Sequence, residues 1–109
     1  MRRLGLGARM AARAVAVIRD DPRFAEILVE ERKTGLILYE LVQPFQRPAW
    51  ESYYAPWARV VPLDPGHSTF RLEYMRYTNK WQALPIEGTL EDCILAIGKD
   101  EMGLFFSGR

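Results

Sequence analysis

The strongest constraint on this chain is a succession of short runs rich in β-branched and aromatic residues, each closed by a turn signal. Ile27 to Arg32 (ILVEER) and Leu36 to Gln43 (LILYELVQ) are separated only by Lys33-Thr34-Gly35. Glycine can supply the positive φ of a short hairpin loop, so the two runs predict an antiparallel hairpin. Trp57 to Leu63 (WARVVPL) predicts a third strand, with Pro62 marking an edge position or its end because proline cannot donate to a ladder. Asp64-Pro65-Gly66-His67-Ser68 has the composition of a turn. Between the first hairpin and the third strand, Pro44 to Pro56 (PFQRPAWESYYAP) holds three prolines and four aromatics, which predicts an ordered loop.

Phe70 to Pro85 (FRLEYMRYTNKWQALP) interleaves aromatic and basic residues and predicts a second hairpin, with Thr78-Asn79 as its connection. A two-residue loop sets Tyr77 opposite Lys80, Arg76 opposite Trp81, Tyr74 opposite Ala83 and Leu72 opposite Pro85. Side chains alternate between faces, so Phe70, Leu72, Tyr74, Arg76, Trp81 and Ala83 fall on one largely apolar face. Arg71, Glu73, Met75, Tyr77, Lys80 and Gln82 fall on a mixed face. Arg76 is then placed to lie over the ring of Trp81. A slip of one residue reassigns every one of these contacts.

Two helices flank the strands. Gly7 to Arg19 predicts an amphipathic helix, with Leu4, Ala11, Ala14, Val15 and Ile18 on one side and Arg9, Arg13 and Ala16 opposite. Asp20-Asp21-Pro22 ends it, because the residue before proline is steered out of helical geometry. Near the C-terminus, Thr89 and Asp92 have the spacing of a capping box. Leu90, Cys93, Ile94 and Ile97 follow at i, i+3, i+4 and i+7, and Gly98 is placed to end the helix. Cys93 belongs to the apolar stripe and reads as a small core residue. Gly103 to Phe106 (GLFF) is expected to dock back on the domain.

The fold class these signals predict is α+β: an N-terminal helix, an antiparallel sheet of about five strands in a meander of hairpins, and a C-terminal helix packed on one face. The 109 residues form a single domain. Residues 1–20 are its basic amphipathic helical segment, and residues 25–109 supply the sheet and second helix.

Charge narrows the function classes. The net charge is +1, yet the first nineteen residues hold five arginines and no acid, so the rest of the chain is net negative. An arginine-rich start resembles an export or transit signal, but Arg9 and Arg13 interrupt any apolar core and serine is absent there. No stretch is long and apolar enough for a membrane span, and a cytoplasmic protein without membrane contact is expected. A single cysteine, Cys93, excludes an intramolecular disulfide and a paired-cysteine zinc cluster.

No catalytic residue, metal ligand or cofactor is predicted. His67, the sole histidine, sits in a turn, and adjacent Glu30 and Glu31 point to opposite sheet faces. Glu91 and Asp92 suit the first turn of a helix. Gly5-x-Gly7 lacks the strand and third glycine of a phosphate loop. The favoured reading is a non-catalytic protein-interaction or accessory module that meets a protein partner or a second copy. Its partner-binding candidates are Phe45, Trp50, Tyr53, Tyr54 and Trp57, since large aromatics at a surface are typical binding anchors. The competing reading is that these rings close over the sheet. An alternative function is single-stranded nucleic-acid binding through Arg71, Tyr77 and Lys80 on a basic, aromatic sheet face. Nucleic acid is less favoured because few arginines stand free of nearby acids, and an enzyme is less favoured still.

The succession LYELVQPF, APWARVVPL, FRLEYMRYTNKWQALP and TLEDCILAIGKDEMGLFFSG resembles the bacterial family of small proteins catalogued as domain of unknown function 3024. The likeness runs from about Ile27 to Gly108 and rests on aromatic and glycine anchors. Phe70 stands where the family commonly has tryptophan, Gln82 replaces a histidine after Trp81, and Ser107 enters the terminal Phe-Gly element. The resemblance implies the α+β architecture and no particular activity.

Overall fold

A computed structural model describes residues 2–4 and 9–106, with backbone alone at 2–4. The elements in chain order are β1 (Arg2–Leu4), α1 (Arg9–Ile18), β2 (Leu28–Arg32), β3 (Gly35–Val42), β4 (Tyr53–Pro62), β5 (Phe70–Met75), β6 (Trp81–Gly88) and α2 (Leu90–Lys99). The strands lie side by side in sequence order. From β2 to β6 every neighbouring pair is antiparallel, which is the predicted five-strand meander. β1 adds a short parallel strand beside β2. Leu4, predicted on the apolar side of the first helix, therefore belongs to a strand, and the start of that helix at Gly7 and Ala8 lies outside the described residues.

Both helices pack on one face of the sheet and on each other. α1 buries Ala11, Ala14 and Ile18, the stripe its periodicity predicts. The backbone N–H of Ala11, in the first described turn of α1, donates to Glu31 at 2.8 Å. α2 buries Leu90, Cys93, Ile94 and Ile97. Its capping box is complete: Thr89 N–H donates to the Asp92 carboxylate and Asp92 N–H to the Thr89 hydroxyl, each at 3.0 Å. The helix does not stop at Gly98. It continues through Lys99, and Asp100 takes the left-handed conformation at φ 47°. The Asp100 carboxylate accepts from the backbone N–H of Phe105 (2.9 Å) and Phe106 (2.8 Å), which folds the GLFF segment back and buries Phe105.

In the first hairpin Arg32 pairs with Gly35, leaving Lys33-Thr34 as the turn. Gly35 has φ 121°, and a Cβ there would sit 2.1 Å from the carbonyl oxygen of Val60, so the position admits only glycine.

Two further sequence expectations change. The first concerns Tyr53 to Pro56, predicted as loop, which form the start of β4 opposite Val42 to Tyr39. Proline survives there because an edge position makes no demand on its missing N–H. The second concerns the β5–β6 register. Met75 pairs with Trp81, Tyr74 with Gln82 and Glu73 with Ala83, one residue away from the predicted set. The cause is the loop. Arg76 carbonyl accepts from Asn79 N–H (2.9 Å), Asn79 is left-handed at φ 62°, and Arg76 N–H donates to Lys80 carbonyl (3.0 Å). A turn followed by a left-handed residue makes a three-residue connection, Tyr77-Thr78-Asn79.

That single step turns β6 over. Phe70 and Leu72 are buried as predicted, whereas Trp81 is half-buried on the face away from the helices, Ala83 is exposed, and Leu84 occupies the core. Arg76 is exposed, and the cation over Trp81 is Arg59, 4.7 Å from the ring centroid.

Candidate functional site

The arrangement of strands gathers several exposed side chains at one end of the sheet. β4 pairs with β3 from Tyr53 onward, but with β5 only from Ala58, opposite Tyr74. β5 ends one residue later at Met75, so the β3–β4 ribbon runs past it by the length of Tyr53 to Pro56, about 13 Å at the usual rise of a strand. The molecule is correspondingly elongated, 46 × 30 × 26 Å along its principal axes.

Residues 43–52 close the ribbon with a tip ordered by its own bonds. Arg47 N–H donates to Pro44 carbonyl (3.2 Å), and a 3-10 turn at Ala49–Glu51 carries bonds from Glu51 to Pro48 (2.9 Å) and Ser52 to Ala49 (3.0 Å). Prolines at 44 and 48 preset the backbone, so the tip needs no buried side chain to hold its shape. Its rings stay out. Phe45 is 88% exposed, Trp50 80%, Tyr53 55% and Tyr54 37%.

Trp57, the fifth sequence candidate, is a correction: it is 5% exposed and belongs to the core. Partners step from Leu38–Ala58 to Tyr39–Pro56, leaving Trp57 as the extra residue of a bulge. The bulge turns its indole towards Phe24, Phe105 and Phe106, with ring centroids 6.2, 5.4 and 5.1 Å away, all edge-to-face.

The β5–β6 tip lies at the same end of the sheet, because β5 runs antiparallel to β4. It presents Arg76, Tyr77 and Lys80. Tyr77 is 93% exposed, and neither cation forms an ion pair with any described residue. Arg71, grouped with Tyr77 and Lys80 as the nucleic-acid alternative, is not brought to them. It lies along β5 on the face without helices, donating through Nη2 to Glu73 Oε2 at 2.7 Å. Arg59 donates from Nε to Glu73 Oε1 at 2.8 Å, so two guanidinium groups share one buried carboxylate. Glu30, on the same face, accepts from Arg32 and from the Tyr39 hydroxyl (2.8 Å). The Arg32 hydrogen bond, and then that of Tyr39, hold the Glu30 carboxyl below its ordinary pKa. The open face thus carries paired charge, and its cations are largely committed to acids.

A concavity of about 440 Å³ runs between β6 and α2, lined by Leu84, Pro85, Ile86, Leu95, Met102 and Phe105 among others. Neither histidine nor cysteine lines it. Cys93 is buried under α2, its thiol 3.7 Å from the Phe70 carbonyl, and burial raises its pKa to about 11. His67 is exposed at φ 54° in the β4–β5 turn, where Asp64 organises the backbone by accepting from Thr69 (2.8 Å) and Ser68 (3.0 Å). Among the described residues no three His, Cys, Asp or Glu side chains gather as a metal site, and no helix is long and apolar enough to cross a membrane.

Sequence reasoning marked this segment as an ordered loop through its prolines and rings, and left open whether the rings close over the sheet. It missed the Arg59–Glu73–Arg71 cluster, whose members meet across strands and become neighbours only once the register is known. It also missed the unpaired edge of β4, for which the sequence holds no signal, since pairing of β5 could equally have begun at Tyr53. Comparison with curated proteins and with solved structures gave no match. The family model described as Domain of unknown function (DUF3024) matches residues 7–107, and the chain belongs to that family.

Proposed function

We propose that this protein is a non-catalytic interaction module that binds a protein partner through the end of the sheet formed by the β3–β4 ribbon. The observation that carries this reading is the exposure of four rings, Phe45, Trp50, Tyr53 and Tyr54, on a ribbon whose shape is fixed by its own turns. Rigid, exposed aromatics lose little conformational freedom on binding and bury much area, which is why such residues dominate interface energetics. Had the rings served only the fold, they would have closed over the sheet as Trp57 does.

Several observations weigh against catalysis. The thiol of Cys93 is buried and pushed up in pKa, and the carboxylates of Glu30, Asp64, Glu91 and Asp92 are engaged in ion pairs, turns or caps.

Capture on the immobilised chain tests the reading. Wild type is expected to retain a partner from cell lysate that Phe45→Ala and Trp50→Ala lose while keeping their far-UV circular dichroism. A homo-oligomer would instead show as concentration-dependent sedimentation abolished by the same substitutions. Equal behaviour of wild type and both variants in capture and sedimentation overturns the reading.

A further inference from the structure

Resting on that reading, we infer that the partner segment is an extended acidic peptide, added as a strand to the open edge of β4 at Tyr53 to Pro56. Three observations converge there. The β4–β5 register begins at Ala58, so residues 53–56 have β3 on one side and no strand partner on the other. No loop or turn supplies a backbone bond to that edge among the described residues. An antiparallel strand alternates the side to which each residue directs its N–H and C=O. Pro56, paired with Tyr39, fits where β3 does not need its missing N–H, so its carbonyl faces the open side. Tyr54, two residues earlier, then offers both an N–H and a C=O there. Such an unpaired row is the template on which an extended peptide adds by main-chain hydrogen bonds.

The flanking charge selects the peptide's chemistry. Arg76 and Lys80, on the tip of the neighbouring β5–β6 hairpin, are exposed and without ion-pair partners among the described residues. They stand at the same end of the sheet as the open edge, so a strand laid on β4 meets uncompensated positive charge. Glutamate or aspartate in that strand would complete it. Rings above and below, Tyr54 and Tyr53, offer apolar cover for the alternate side chains. Two free cations are few for a phosphate backbone, whose binding rests on many such contacts, and nucleic acid has no use for a strand edge. Polypeptide therefore fits better than single-stranded nucleic acid.

Fluorescence anisotropy with a labelled synthetic peptide that alternates glutamate and valine tests this on the full chain. Binding is expected, weakening with added salt, and roughly tenfold weaker or more for the double charge reversal Arg76→Glu with Lys80→Glu. The same peptide N-methylated at alternate residues should not bind, because it cannot pair with a strand edge. A lysine–valine peptide should not bind either. The inference is overturned if the glutamate peptide fails to bind, if the N-methylated or lysine peptide binds equally well, or if oligo-dT binds more tightly than the glutamate peptide. Capture from lysate that is lost in Trp50→Ala separates the two proposals: it sustains the interaction reading even where the peptide fails, and loss of both results overturns both.

Discussion

Trp50 and Trp57 sit seven positions apart in one proline-aromatic stretch, and their truncation should separate ribbon tip from core. Trp57→Ala removes an indole that is 5% exposed and packed edge-to-face on Phe24, Phe105 and Phe106. Deleting a buried aromatic of this size costs about 3–5 kcal/mol, from the lost transfer energy and the cavity left behind. A domain of this length has about 5–15 kcal/mol in total, so the loss is a large share of its stability. It corresponds to a fall in Tm of more than about 10 °C. Trp50→Ala removes a ring that is 80% exposed and should change stability by no more than about 0.5 kcal/mol. Urea unfolding followed by far-UV circular dichroism reads both. Where Trp57→Ala is too unstable to isolate, Trp57→Phe keeps a ring among its aromatic neighbours and should show a smaller loss of the same sign. The reasoning is refuted if Trp50→Ala costs more than about 1 kcal/mol, or if Trp57→Ala costs less than that.

Further outcomes follow from the other polar and buried groups. Glu73→Gln leaves Arg59 and Arg71 sharing one neutral acceptor, and should lower stability by about 1–3 kcal/mol in urea titrations. That is below the cost of stripping a fully buried pair, because both guanidinium groups are partly exposed. The carboxyls of Asp21, Glu30 and Glu91 are held below their ordinary pKa chiefly by hydrogen bonds from Arg23, Arg32 and Arg13, and that of Asp64 by the Thr69 backbone N–H. As pH falls below the ordinary carboxylate range, the unfolded chain takes up protons before the folded one. Stability present above that range should therefore be lost on acidification, read as a falling urea midpoint. Cys93 has the opposite linkage: its pKa is raised by burial from 9.0 to about 11, so stability should decline as pH rises between those values. At neutral pH iodoacetamide should leave Cys93 unmodified in the native protein and label it in urea, as checked by mass spectrometry.

The amino-acid sequence by itself determined the number and order of the antiparallel strands and the two helices, because these follow from local periods and turn chemistry. Thr89 and Asp92 announce a cap three residues apart, Gly35 a hairpin loop with positive φ, and the Ala11-Ala14-Ile18 stripe a helix with one buried side. It also indicated an ordered segment after β3, since Pro44 and Pro48 preset their own backbone. What lay beyond it depended on offsets of one residue between distant segments. Asn79 is left-handed in either a two- or a three-residue loop, yet the second choice sends Trp81 from the core to the face of Arg59 and Glu73. A bulge opposite Leu38 and Tyr39 likewise draws Trp57 inward, while Phe45, Trp50, Tyr53 and Tyr54 remain outside. Asp100 displaces Gly98 as the helix end because its carboxylate binds amides five and six residues further on. Side chains alternate on a strand with period two, so whether a given ring is core or surface is decided by register. Register is settled only when whole strands are packed together, and that is why the open edge of β4 and its neighbouring cations emerged from the tertiary structure alone.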